Sequence, residues 1–327
     1  MKKLFTLCLT IILVITLVGC NKKMYKYSMF YMDTYIEVKL YDIDKDTSDK
    51  LFKDIDKIYK EYHELSDRYN EYEDVINVYY LNNILKVGDK IEINSKLSNL
   101  IEFGLKAYKD TNGYINIGLG NVIDIWKKYR EVGKDIPKTY ELMNVNVDIN
   151  NISLKDNIYS KKKDVKLDLG SYAKGYATEE VGKYLENNGY SKYLINAGGN
   201  VKVGKSYKTS KYSVGLEEPF NTSNIYKTLS VENVSIVTSG SYQRYYKVDD
   251  KVYSHIINPK TLFPDNYTKS VTVITNNSAY ADIMSTYLFM LPIEDGLNIV
   301  NNNDEIEAIW YSDNIYYSNN FNIYEQV

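Results

Sequence analysis

The chain has 327 residues, a formal charge of −3 and a hydrophobic fraction of 44%, enough for one large globular unit or two small ones. Its two cysteines, Cys8 and Cys20, fall in the first 20 residues, and its two histidines are His63 and His255. From residue 21 onward this excludes disulfides, thiol catalysis, cysteine metal sites and histidine-rich transition-metal centres, and a mildly acidic chain without a dense basic stripe argues against nucleic-acid binding.

Met1-Lys2-Lys3 precedes a short apolar run from Leu4 to Val18, too short to span a bilayer comfortably, and the run closes in Leu17-Val18-Gly19-Cys20. A basic start, an apolar stretch and a small residue before a cysteine form the lipobox pattern of bacterial lipoproteins. The expectation is a signal peptide over 1–19, acylation of Cys20 with palmitate among its lipids, a tether over 20–26 and one domain over 27–327. Such a chain is held by its lipid to the extracytoplasmic face of a bacterial membrane. The 35 tyrosines, beside abundant Asn, Lys and Ile, read as AT-rich coding bias.

Alternation predicts a strand from Phe30 to Leu40. An amphipathic helix follows, capped by Thr47 or Ser48, with Leu51, Ile55, Ile58, Tyr62 and Leu65 as its apolar stripe. A second helix covers Ser95 to Thr111 and stops at Asn112-Gly113. Residues Asp148 to Lys166 read as two strands with a charged turn at Lys161–Asp164, and a helix runs from Ser171 to Asn188, stopped by Gly189. Short strands and tight turns then follow, with Asp249-Asp250 marking one hairpin. "NSAYADIMSTYLFML" is a helix stopped by Pro292, and a hairpin ends the chain. Helices mixed with hairpins make the fold class α+β: mixed, largely antiparallel sheets with flanking helices.

Four stretches carry chemistry. In "KLDLGSYAKGYA", Asp168, Gly170, Ser171 and Lys174 surround a helix start, where free N–H groups and the dipole favour an anion; the same residues also suit a plain capped helix. In "AYADIMST", Asp282 and Thr286 lie four apart on one helix face. A carboxylate and a hydroxyl so placed can share a hard cation, and an Asp near a helix start is also ordinary. "YSHIINP" offers His255 as a proton shuttle or a structural hydrogen-bonder, and "NAGGN" is a turn that a ligand can approach closely.

Their chain order, "DLGSYAKGYA", "NAGGN", "TSGSY", "HIINPKT" and "ADIMST", resembles that of the ApbE-like family, the FAD:protein FMN transferases, from about Met32 to the last hairpin. The resemblance implies an ApbE-like, T-fold-related architecture. It implies Mg²⁺-dependent transfer of FMN from FAD to a threonine of a membrane-associated or exported electron-transfer protein, with release of AMP. By position it implies Asp282 and Thr286 as metal-binding side chains, with backbone oxygens near Ser171 and Ala279. Met32, Tyr69, Tyr114, Ile115, Asn116, Asp168, Lys174 and Ile256 match the FAD site, and His255 or Asp282 takes the threonine proton. Three positions depart from the family's pattern: Asp33 replaces a glycine, Asn116 replaces a common Asp, and Asn258 replaces the Asp of His-Ile-(Ile/Leu)-Asp-Pro. An FAD pyrophosphatase giving FMN and AMP, and a non-catalytic FAD-binding lipoprotein, are the alternatives.

Overall fold

The computed structural model describes residues 23–207 and 210–325. The lipobox and Cys20 lie outside the described residues. Strands β1 (Lys23–Tyr31) and β2 (Thr34–Ile43) open the fold, followed by α1 (Lys45–Ser66), α2 (Val78–Asn83) and β3 (Lys90–Glu92). Next come α3 (Ser95–Asp110), α4 (Gly120–Val132), α5 (Thr139–Met143), β4 (Ile152–Lys155), β5 (Ile158–Lys161) and α6 (Ala173–Asn187). A run of strands follows: β6 (Tyr193–Ala197), β7 (Asn200–Val203), β8 (Tyr212–Glu218), β9 (Asn221–Val231), β10 (Val234–Gly240), β11 (Tyr245–Val248), β12 (Lys251–Ser254) and β13 (Ser270–Thr275). The last elements are α7 (Ser278–Phe289), α8 (Ile293–Asn301), β14 (Glu307–Tyr311) and β15 (Ile315–Tyr317).

Eight strands form one sheet in the order β1-β2-β6-β7-β10-β13-β14-β15. Every neighbouring pair in it is antiparallel. This is the α+β, largely antiparallel architecture expected. Every residue of β13 is buried, because the strand is central and covered on both faces. On one side lies α7, which is buried almost all round, as a helix without a polar face must be. On the other, Ile274 and Ile309 join Leu229, Val231 and Phe321 in a smaller core under the β8–β9 hairpin. Helix α1 buries Leu51, Phe52, Ile55, Tyr59, Tyr62 and Leu65, while Ile58 of the expected stripe is half-buried.

Three expectations are corrected. The single strand over Phe30–Leu40 is a hairpin, and its first strand begins at Lys23, inside the expected tether. Its two-residue turn, Met32-Asp33, has φ of 53° and 55°, a primed turn without the usual Asn-Gly signal. The charged turn at Lys161–Asp164 is instead a turn at Asp156-Asn157, with φ of 52° and 62°; Lys161 is buried, its Nζ donating to Leu81 O at 2.8 Å. The cap of α1 is Asp44, which accepts from the Thr47 N–H at 2.9 Å. Pro292 stops one helix and caps the next, α8. The Asp249-Asp250 hairpin is found between β11 and β12, both residues at positive φ.

Candidate active site

The floor of the site is the packing of α6 on α7. A Cβ at Gly175 would sit 2.5 Å from Ser278 O and 2.7 Å from Asp282 Cβ, so only glycine lets the two helices meet at this distance. The Gly175 N–H donates to Asp282 Oδ2 at 2.8 Å. Further along the same face of α6, at i+4 and i+7, come Glu179 and Gly182. The Glu179 carboxylate accepts from the Ser278 N–H at 2.8 Å and from Lys202 Nζ at 3.0 Å. Lys202 also donates to Asn276 O at 3.0 Å, and its stem occupies the space a Cβ at Gly182 would need, 2.4 Å away. One stripe of α6 therefore fixes where α7 begins and where Asp282 points.

Asp282 is 6% exposed. Burial pushes its carboxyl above the usual range, against the pull of the Lys174 charge, the Gly175 N–H and Asn200. Thr286, one turn on, borders the same cleft, its Oγ1 3.3 Å from Ser239 Oγ.

At the start of α6, Asp168 Oδ1 accepts from the Gly170 N–H at 2.9 Å and Oδ2 accepts from Arg68 at 3.0 Å. Arg68 is 8% exposed and also donates to Asp124 Oδ1 at 2.9 Å and Gly120 O at 3.0 Å. Burial lowers its pKa, but the Asp168 and Asp124 carboxylates outweigh burial and the net direction is up. Lys174 Nζ reaches Gly198 O at 3.4 Å. Tyr69 stands at the rim, with Lys127 Nζ 3.8 Å from its ring centroid.

His255, at the end of β12, lines the same cleft. Its backbone N–H and its Nδ1 both approach Arg244 O, at 3.0 and 3.2 Å. An Nδ1–H donated there leaves Nε2 as the acceptor. Burial, then the charge of Arg244, push its pKa down to about 4. Asn258 does not orient His255: its Nδ2 donates to Asp265 Oδ2 at 2.6 Å and its Oδ1 accepts from the Lys260 N–H at 2.8 Å. The replaced aspartate thus costs His255 nothing, because a backbone carbonyl does the orienting. Asn116 donates to Val147 O at 3.1 Å, a bond that an ionised Asp cannot make.

These groups border one cleft of about 1020 Å³. It is lined by Met32, Tyr69, Tyr114, Ile115, Asn116, Asp168, Ser171, Lys174, His255, Ile256, Asp282 and Thr286, all expected from the sequence. Ala279, expected beside them, does not line it and is buried on α7. The sequence reading missed the arginines. The chain has three, Arg68, Arg130 and Arg244, and all three line the cleft. In a chain that otherwise uses lysine, an arginine marks a place suited to a planar, multidentate cation, and that scarcity is the available signal.

The donor set fits a hard cation. Asp282 accepts one hydrogen bond from the Gly175 N–H and feels the Asn200 amide and the Lys174 charge, while the Thr286 and Ser239 hydroxyls supply further oxygens one turn on. Among the described residues no group of three or more His, Cys, Asp or Glu could hold a metal ion, so such a cation needs backbone, water or ligand oxygens as well.

Residues 32–310 match the profile described as the ApbE family. A Klebsiella pneumoniae protein named FAD:protein FMN transferase is 28% identical over 305 residues, spanning 90% of this chain and 91% of that one. A Haemophilus influenzae protein of the same name is 25% identical over 320 residues, spanning 93% and 92%. The crystal structure of the ApbE protein from Thermotoga maritima superposes with a TM-score of 0.83 at 22% identity, covering 93% of this chain and 100% of that chain.

Proposed function

The chain belongs to the ApbE family, and from that premise we propose that it is an FAD:protein FMN transferase whose cleft holds FAD and an acceptor threonine. One observation carries the reading: a single cleft joins the buried Asp282 and the half-buried Thr286, the start of α6 with Lys174, and a half-buried His255 whose Nδ1 faces Arg244 O and leaves Nε2 to accept. The acceptor hydroxyl oxygen bonds to the phosphorus of the FMN half. The P–O bond to AMP breaks, AMP leaves, and FMN remains on the acceptor as a phosphoester. His255 takes the hydroxyl proton at Nε2; being neutral at pH 7, it is ready to accept.

Asp282 and Thr286 would hold Mg²⁺. The ion, when bound, supplies positive charge for the phosphoryl oxygens as the bond to AMP breaks. Lys174 and the first N–H groups of α6 add to that charge. Arg68 fixes Asp168, and Asp168 is left to orient the flavin end of the substrate. The acceptor is a membrane-associated or exported electron-transfer protein, and the enzyme is anchored through Cys20 at the extracytoplasmic face. The lipobox pattern supports that placement; among the described residues no helix is long and apolar enough to cross a membrane. Incubation with FAD, Mg²⁺ and acceptor, read by in-gel flavin fluorescence and AMP release, tests the activity. Loss of palmitate labelling in Cys20→Ser tests the anchor.

A further inference from the structure

His63, the other histidine of the chain, has no part in this chemistry, yet it lines the cleft. Its Nδ1 lies 3.3 Å from the Met32 backbone nitrogen. An N–H can only donate, so Nδ1 must be the acceptor and the ring must be neutral with its proton on Nε2. Nε2 lies 3.2 Å from the Tyr72 hydroxyl, which in turn reaches Asp67 Oδ2 at 2.9 Å. Each donor thus meets one acceptor in sequence: Met32 N–H to His63, His63 to Tyr72, Tyr72 to Asp67. Asp67 Oδ1 accepts from the Tyr69 and Asn70 N–H groups, at 2.7 and 3.2 Å. The far end of the relay therefore shapes the loop that carries Arg68 and Tyr69 into the cleft.

The near end grips a strained turn. Met32 and Asp33 both have positive φ, which side-chain-bearing residues adopt at a cost. Thr34 just beyond fills the space that a Cβ at Gly198 would occupy. Asp33 O accepts from Arg244 at 3.4 Å, and the carbonyl of Arg244 is the group that orients His255. A continuous set of contacts therefore runs from α1, through the Met32-Asp33 turn, to His255.

We propose that His63 is a positioning residue: as a neutral acceptor it holds the Met32-Asp33 turn in its strained form against the cleft, and so sets both the FAD-binding rim and the carbonyl that orients His255. The inference rests on the transferase reading. It is tested on the full chain with two readouts, FAD affinity by flavin fluorescence and steady-state FMN transfer. In His63→Ala the Kd and KM for FAD rise about tenfold, equivalent to ~1.4 kcal/mol, with a smaller fall in kcat. His63→Asn places Oδ1 where Nδ1 stood and restores both to within about twofold. Unchanged Kd, KM and kcat in His63→Ala overturn the proposal. So does equal impairment of the Ala and Asn variants in step with lowered thermal stability, the pattern of a merely structural role. A wild-type chain that binds FAD but transfers no FMN defeats the transferase reading instead, and the Kd series still decides whether His63 holds the rim.

Discussion

The two sides of the cleft are built differently. The α6–α7 floor is made of helices in backbone contact: Gly175 touches α7, and the Glu179–Lys202 pair, with side-chain exposures of 11% and 7%, is sealed behind it. The rim opposite is made of turns joined by longer, wetter contacts. Arg244 meets Asp33 Oδ2 at 3.7 Å with side-chain exposures of 52% and 73%. On the proposed mechanism Asp282 grips a cation, and a carboxylate set in packed helices stays fixed for that task at the expense of its desolvation. A base that must receive a protein hydroxyl is better carried on an edge that can adjust. Breaking the packing of the floor should therefore cost stability and activity together, neutralising its buried carboxylate should cost activity without stability, and perturbing the rim should cost activity alone.

The largest separation should come at Asp282. Replacement by Ala is expected to lower FMN transfer by about 10³-fold, measured as initial rates at saturating Mg²⁺. Asp282→Asn, which keeps an acceptor for the Gly175 N–H, should lose activity comparably. Its thermal stability in EDTA should equal or exceed wild type, because burial disfavours the native carboxylate and the amide removes that charge. Mg²⁺ should raise the melting temperature of wild type and not of this variant. Next, Lys202→Met leaves the Glu179 charge buried without its partner and should cost about 3 kcal/mol in chemical denaturation. If activity survives with stability lost, the floor does not position Asp282.

On the rim, His255→Ala should lower kcat by about 10²-fold with an unchanged melting temperature. The pH profile carries the sign. On the proposed mechanism His255 acts unprotonated, and with burial and Arg244 holding its pKa down to about 4, wild-type activity should hold through pH 6 and fall only as pH drops toward that value. A histidine in the unfolded chain titrates near 6.5. Between those values the unfolded state binds more protons, and this contribution to stability is lost as pH falls through the window. The smallest effect is expected at the Arg244–Asp33 pair, where Asp33→Asn should change stability by less than about 1 kcal/mol. A large loss there would mean that the rim is as rigid as the floor.

The floor was also the more legible side. Gly175, Asp282 and Thr286 sit in continuous helical patterns, where spacing alone places side chains on a face. The rim was legible only in part, because its geometry comes from pairings distant in sequence. Only Asp33 hints at the primed turn at Met32-Asp33, since Met32 is not a residue such turns favour and no glycine or asparagine is present. Nothing near His255 shows that a carbonyl eleven residues earlier orients it. Arg68 gives no signal beside Tyr69, because its meaning lies in Asp124 and Asp168, which only the fold brings to it. Pro292 is legible as a stop, but its second role, starting α8, depends on where the chain turns.

The most direct test incubates the full chain and its Asp282→Asn variant with FAD, Mg²⁺ and an acceptor protein, following AMP release and the acceptor's mass. The account predicts that wild type releases one AMP for each FMN found on an acceptor threonine, and that the folded variant yields neither. Wild-type rates from the variant, or AMP and free FMN from wild type with no flavin on the acceptor, would contradict it.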